Sequence, residues 1–202
     1  MTLWRGKQPL ILASQSKARQ TLLANARLEF VSDPADIDER TVQQSSDLAA
    51  PGDVASLLAG EKARAVSSRR HGHYVIGADQ TLALATHIFN KPEGRAQAAD
   101  QLRALSGRCH ELHSAIAVVR DGKLLFEHVS VARMTMRQLS DADIENYLIE
   151  AGSAVTSSVG AYQLEGLGVH LFDRIEGDHF TILGLPLLPL LAFLRREHLL
   201  SI

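Results

Sequence analysis

Two residues, Asp121-Gly122, separate apolar, extended runs at 112–120 and 123–134. A two-residue Asp-Gly connection between such runs signals a β-hairpin, because both turn residues must accept positive φ to match the twist of the flanking strands. Upstream of the hairpin the pattern alternates instead. Residues 10–13 form a short buried strand, Ser16 caps a helix running to about Ala26, and residues 28–31 form a second strand. Asp53 is placed to cap a helix through Arg70, residues 74–77 form a strand that delivers Asp79 at its C-terminal end, and 81–84 continue in extended form. A helix follows at 95–106. After the hairpin, Ser140-Asp141-Ala142-Asp143 opens a helix that Gly152 closes, residues 160–168 are a glycine-punctuated loop, 169–182 hold further strands, and 185–196 form a final helix. Strand–helix alternation joined to a hairpin predicts a mixed α/β (α+β) chain with a mixed sheet. The stretch 33–53, polar and holding two prolines, reads as a loop or flap.

The 202 residues suit one domain with a sizeable core, so a single domain over 1–202 is expected. Lys and Arg total 21 against 23 Asp and Glu, a formal net charge of −2. Such a chain has no overall field for gripping a nucleic-acid backbone or an anionic membrane, and aromatics at 5% provide no stacking stripe. Any polyanion it binds is expected to be small and held by a few local cations. A lone cysteine, Cys109, excludes an intrachain disulfide framework. The most apolar stretch, 182–194, contains Pro186 and Pro189 and is shorter than the roughly 20 residues a membrane span needs. A cytoplasmic location is the expectation.

Four clusters can carry chemistry. Ser14-Gln15-Ser16-Lys17-Ala18-Arg19 forms a strand–turn–helix element, where free amides and the positive end of the helix dipole suit phosphate, with Ser14 and Arg19 as added donors; an ordinary capped helix has the same pattern. Asp79, in Gly77-Ala78-Asp79-Gln80, is a general base, a magnesium ligand or a strand-ending turn residue. Lys91 precedes Pro92, which holds it extended as a fixed cation or a plain loop lysine. Glu165, among Gly160, Gly166 and Gly168, faces a ligand or marks tight turns. His110-Glu111-Leu112-His113 is one residue short of the zinc motif H-E-x-x-H, and on a strand its two histidines point to opposite faces, so it is not read as a metal site.

Taken in order, Ser14 to Arg19, Asp38-Glu39-Arg40, Lys62-Ala63, Gly77 to Gln80, Lys91-Pro92, Ser106-Gly107, Ser158 to Tyr162 with Glu165 to Gly168, and Gly184-Leu185-Pro186-Leu187 resemble the Maf family of nucleoside triphosphate pyrophosphatases, across residues 10–194. The resemblance implies an elongated, inosine-triphosphatase-like α/β fold with a central mixed sheet and a cleft between two lobes. It implies hydrolysis between the α and β phosphates to a monophosphate and pyrophosphate, with magnesium or manganese as the divalent cation and a homodimer as a possible assembly. Asp79 then matches the catalytic proton acceptor and a metal ligand, and Glu39 the second metal-holding acid. Ser14, Arg19, Lys62 and Lys91 match substrate-binding positions.

The family motif Ser-x-Ser-Pro-Arg-Arg is altered here to Lys17 and Ala18, with Arg19 kept. Ala18, Gln80 and Glu165 fall at specificity positions. Gln80 and Glu165 match members preferring 7-methyl-GTP, while Ala18 matches neither that group nor the one preferring dTTP and UTP. A carboxylate offers acceptors only, which suits the two adjacent N–H donors of guanine. The reading is a pyrophosphatase for 7-methyl-GTP or of broad specificity. The alternatives are a dTTP/UTP pyrophosphatase and, in another class, a nucleotide-binding regulator of cell division with little turnover.

Overall fold

A computed structural model of the chain describes residues 3–202. Its strands are β1 (Leu10–Leu12), β2 (Phe30–Ser32), β3 (Val75–Leu84), β4 (His87–Phe89), β5 (Cys109–Arg120), β6 (Lys123–Met136) and β7 (Phe172–Glu176). Its helices are α1 (Lys17–Asn25), α2 (Glu39–Gln44), α3 (Pro51–Ser67), α4 (Arg95–Leu105), α5 (Asp141–Ala151), α6 (His179–Ile182) and α7 (Leu187–Arg196). The strands form one seven-stranded sheet in the order β2-β1-β3-β5-β6-β7, with β4 paired to β3. β1 is parallel to both β2 and β3, while β3–β4 and β6–β7 are antiparallel, so the sheet is mixed as expected. At the hairpin, Asp121 has φ 49° and Gly122 φ 77°, the positive pair that a type I′ turn requires.

The chain gathers into two compact units. The first holds residues up to Gln80, Ser114–Ser130 and His179–Ile202; the second holds Thr81–His113 and Val131–Asp178.

In the first unit, the period of two along the strands sorts side chains onto two faces. Leu10, Leu12, Ile76, Ala78, Ile116 and Val118 pack with α1 and α7 through Leu22, Leu23, Leu190 and Phe193. Ile11, Ala13, Val75, Ala115, Ala117 and Val119 pack with α3 through Ala55, Ala59, Ala63 and Val66. Small side chains along that face of α3 let the helix come close to the strands. In the second unit, α4 packs on α5 and on the one-turn 3-10 segment Val159–Ala161.

Several boundaries differ from the sequence reading. β3 is one continuous ten-residue strand, so Asp79 lies within it and not at its C-terminal end, because Thr81–Leu84 stay extended and pair with β4. α3 starts at Pro51 with Ala50 in the cap position, leaving Asp53 in the first turn. The polar stretch 33–53 contains α2, capped by the Asp38 carboxylate on the Thr41 amide. Residues 169–182 hold one strand, with a 3-10 turn before it and α6 after it. Ser16, the Ser140 capping box and Gly152 act at the helix ends the sequence predicts.

Candidate active site

Alternation along β3 decides which side chains meet. Val75 and Gly77 face α3, and Asp79 follows them on that side. Gly77 is what brings helix and strand together: a Cβ there would lie 2.0 Å from the Ala59 carbonyl oxygen and 2.8 Å from the Ala63 nitrogen. With α3 this close, Lys62 reaches Asp79. Its Nζ donates to Asp79 Oδ1 at 2.6 Å and lies 2.9 Å from Glu39 Oε1. Lys62 and Asp79 are buried, whereas the Glu39 side chain is half exposed at the start of α2. Asp79 Oδ2 makes no hydrogen bond to the described residues, so it is left for a ligand or water.

Arg19 stands on the opposite side of the motif. Its Nη1 donates to the Ala78 carbonyl at 2.8 Å and to Ser14 Oγ at 3.2 Å, and its Nε to the Gly184 carbonyl at 2.8 Å. Burial lowers its pKa from the ordinary arginine value, with the Asp79 and Glu39 charges acting the other way; the group stays a cation. Gly184 takes φ +83°, and a Cβ there would press on the guanidinium at 3.3 Å. Three bonds fix the fork and leave Nη2 as its unengaged donor among the described residues. Buried Ser14 also accepts from the Ser16 amide at 3.2 Å, which orders the turn before α1. Ala18 sits beside Arg19 in the first turn of α1.

Gln80, one residue beyond Asp79, faces the other way. Its amide nitrogen donates to Ser114 Oγ at 2.8 Å and to the carbonyls of Thr181 and Ile182, both at 3.1 Å. Ser114 Oγ itself donates to the Thr181 carbonyl at 2.7 Å. Three acceptors around one nitrogen fix the amide's orientation, since the flipped form would set oxygen against two carbonyls. Gln80 therefore presents an acceptor, Oε1. Gly184 belongs to a motif that the sequence offers, whereas Ser114 and Thr181 carry no such signal. The even-numbered alternation of β5 could have flagged Ser114, but the two carbonyl contacts depend on the distant chain at α6.

Ser14, Ala18, Arg19, Glu39, Lys62, Asp79 and Gln80 all belong to the first unit. Lys91 and Glu165 belong to the second; Lys91 is exposed beside buried Pro92, and Glu165 is exposed in the turn between two 3-10 segments. Among the described residues no group of three or more His, Cys, Asp or Glu could hold a metal. Two carboxylates converging on one ammonium nevertheless suit a hard cation that takes its remaining oxygens from a phosphate ligand and water, the usual mode for magnesium. The donor set fits such a metal and does not fit an all-protein cage. His110 and His113 are split across the strand as expected, His110 pairing with Tyr162 and His113 with Glu111. No helix among the described residues is long and apolar enough to cross a membrane.

A mixed α/β chain with buried Lys62 between two carboxylates, and half-buried Arg19 in the first turn of α1, offers local cations of the kind that suit a phosphorylated ligand. The chain belongs to the Maf-like protein family, whose pattern it matches over residues 9–197. A protein of Bradyrhizobium diazoefficiens named nucleoside triphosphate pyrophosphatase is 68% identical over 202 residues, covering 100% of both chains. One of Nitrobacter winogradskyi with the same name is 67% identical over the same span. A protein of Brucella abortus named 7-methyl-GTP pyrophosphatase is 53% identical over 190 residues, covering 93% of this chain and 96% of its own. Among solved structures, a HAM1 protein from Coxiella burnetii has a TM-score of 0.42 at 17% identity, covering 63% of this chain and 72% of that one.

Proposed function

We infer that this chain is a nucleoside triphosphate pyrophosphatase that cleaves the α–β phosphate bond of a purine nucleoside triphosphate, with 7-methyl-GTP as its preferred or a leading substrate. The observation that carries the reading is Lys62 Nζ set between Asp79 and Glu39, 2.6 and 2.9 Å away. The names of the close relatives support the class, and that of the Brucella abortus relative supports the base.

Asp79 is the proton acceptor. Oδ1 is held by Lys62, which keeps the carboxylate oriented, while Oδ2 is left to take a proton from the attacking water. Arg19 and Lys62 neutralise phosphate charge, and Lys91 adds a further cation. Ser14 orients Arg19. Glu39 and Asp79 would hold a divalent cation, magnesium or manganese, which when bound draws charge from the phosphate oxygens. On its approach the triphosphate competes with half-exposed Glu39 for Lys62, whose bond to Asp79 Oδ1 keeps that carboxylate oriented.

Base choice follows from the acceptors. Gln80 offers Oε1 because its nitrogen is consumed, and Glu165 offers carboxylate oxygens. Acceptors match the N–H donors on the guanine edge, and a carboxylate also favours the positive charge of a methylated guanine ring. Ala18 leaves the base without a large side chain at that position, which broadens selectivity. The enzyme acts on free nucleotides in the cytoplasm.

The test is a product assay with magnesium and a panel of triphosphates including 7-methyl-GTP, dTTP and UTP, scoring monophosphate and pyrophosphate. Turnover of 7-methyl-GTP that falls by about 10²–10⁴-fold in Asp79→Asn supports the reading. Turnover confined to dTTP and UTP overturns the base assignment. Nucleotide binding without turnover of any of them overturns the enzymatic reading in favour of a regulator.

A further inference from the structure

His110 is set aside as a metal ligand, yet it is 1% exposed on β5 and carries an unusual burden. Its Nε2 meets the Tyr162 hydroxyl at 2.7 Å, and its Nδ1 is buried with no hydrogen-bond partner. An orphaned buried polar atom costs stability that an apolar side chain would not. The other His110 nitrogen makes the one hydrogen bond of the ring among the described residues, and that nitrogen holds Tyr162.

Tyr162 ends a constrained piece of backbone. Gly160 has φ 76° and Ala161, completely buried and not glycine, has φ 61°. Such a conformation persists only where the surroundings over-determine it. Here three side chains do so: Gln101 Oε1 accepts from the Gly160 amide at 3.0 Å, the Tyr147 hydroxyl donates to the Ala161 carbonyl at 3.2 Å, and His110 takes the Tyr162 hydroxyl. Phe172 packs edge-on to the Tyr162 ring with centroids 4.8 Å apart. Beyond Tyr162 the chain closes on itself. The Gly166 amide donates to the Gln163 carbonyl at 3.2 Å, Gln163 Nε2 donates to Ser157 Oγ at 2.9 Å, and a Cβ at Gly168 would lie 2.4 Å from the Gln163 carbonyl oxygen. Glu165 rides on this closed turn, so the pose of Gln163 sets the pose of Glu165.

We propose that His110 is the positioning residue for the turn 163–168, holding it through Tyr162 so that Glu165 is presented in one orientation to the base of the substrate. The proposal rests on the reading of Glu165 as a base-contacting residue. It requires a neutral pair at working pH. Burial draws the His110 pKa down to about 4, and burial, then Tyr147, pushes the Tyr162 phenol up, so the bond is uncharged and indifferent to salt.

The full chain is compared with Tyr162→Phe, His110→Phe and His110→Gln, each alone and combined with Glu165→Ala, by steady-state hydrolysis of 7-methyl-GTP and by amide hydrogen exchange. Tyr162→Phe keeps the ring and removes the anchoring hydroxyl, so it remains informative if His110→Phe fails to fold. The expected result is a five- to tenfold rise in KM with kcat within twofold for the two Phe variants. Their Gly160 and Gly166 amides exchange at least tenfold faster. His110→Gln, which returns a polar atom near the Nε2 position, restores both. In the Glu165→Ala background the KM effect disappears, which a general loosening would not produce. Unchanged exchange in Tyr162→Phe, or a KM effect that persists undiminished without Glu165, overturns the proposal. If exchange accelerates as expected but Glu165→Ala itself leaves KM unaltered for every nucleotide, the base-contacting role of Glu165 fails, the anchor stands, and presentation to the base is overturned.

Discussion

Lys62 in the first unit and His110 in the second are both buried polar side chains, 8% and 1% exposed, and each reaches a residue far along the chain. Lys62 is a cation between two carboxylates, and the buried charges of Lys62 and Asp79 are tolerable in their places because each has the other. His110 is neutral, has one bond, and leaves an atom unpaired. The first arrangement stores electrostatic potential that a charged ligand can redirect. The second holds geometry and nothing else. Removing a partner from the first should therefore act on the chemical step and on phosphate binding, whereas removing a partner from the second should act on fit.

The sharpest way to break that contrast is Lys62→Met, which keeps the length and apolar stem but takes from Asp79 and Glu39 the ammonium that both contact, leaving Arg19 as the cation near them. We expect kcat/KM to fall by about 10²–10³-fold, the range seen when one preorganised donor to developing charge is lost. If kcat is untouched and KM alone rises, Lys62 behaves like His110 and the contrast fails. Gly77→Ala tests the same site without touching a charge. Its methyl would meet the Ala59 carbonyl oxygen at 2.0 Å, so α3 must move off β3 and carry Lys62 away from Asp79. A cost of about 3 kcal/mol in a denaturant titration, with a parallel loss of activity, is the expected outcome.

Gly77 also shows where the sequence stops being readable. The hairpin is legible because Asp-Gly encodes its own backbone, and the Ser140 cap because its partner lies three residues on. Asp79 and Lys62 could each be flagged as charges, but their bond, 17 residues apart, depends on a glycine that looks like any other strand residue until the helix is laid against it. The Asp38-capped helix α2 has no apolar period for a sequence to display, because none of its residues is buried. Residues 169–182 carry enough apolar side chains to suggest strands, yet Gly177, with φ 132°, and Asp178 interrupt them, and α6 begins. His110 and Tyr162 lie 52 residues apart, and nothing local ties one to the other.

Acid sharpens the comparison from the side of His110. An unfolded histidine takes up its proton near pH 6.5, whereas folded His110 does so only at about 4. Between those values the unfolded state binds more protons, so stability falls as pH is lowered through the window. From pH 7 to pH 5 the loss should be about 2 kcal/mol, and the part owed to His110 is the part that vanishes in His110→Phe. Urea titrations of both proteins at the two pH values measure it. An equal acid loss in both would mean that His110 is not neutral and unpaired in the way its surroundings demand.

The smallest effect belongs to Ser140→Ala, and it serves as the control for the rest. Ser140 Oγ accepts from the Asp143 amide at 3.1 Å and donates to Asp143 Oδ2 at 2.7 Å, while Asp143 Oδ2 accepts from the Ser140 amide at 2.9 Å. These bonds, the Ser140 hydroxyl first, hold the Asp143 carboxyl down at about 2. Removing the hydroxyl frees one amide at the start of α5 and should cost about 1 kcal/mol, with the Asp143 titration moving upward by NMR. The same helix carries Tyr147, which holds the Ala161 carbonyl. Tyr147 is buried in the second turn, beyond the frayed end, so KM for 7-methyl-GTP should not change. A KM rise as large as that of Tyr162→Phe would mean that any weakening of the second unit misplaces Glu165, and the distinct role of His110 as anchor would be lost.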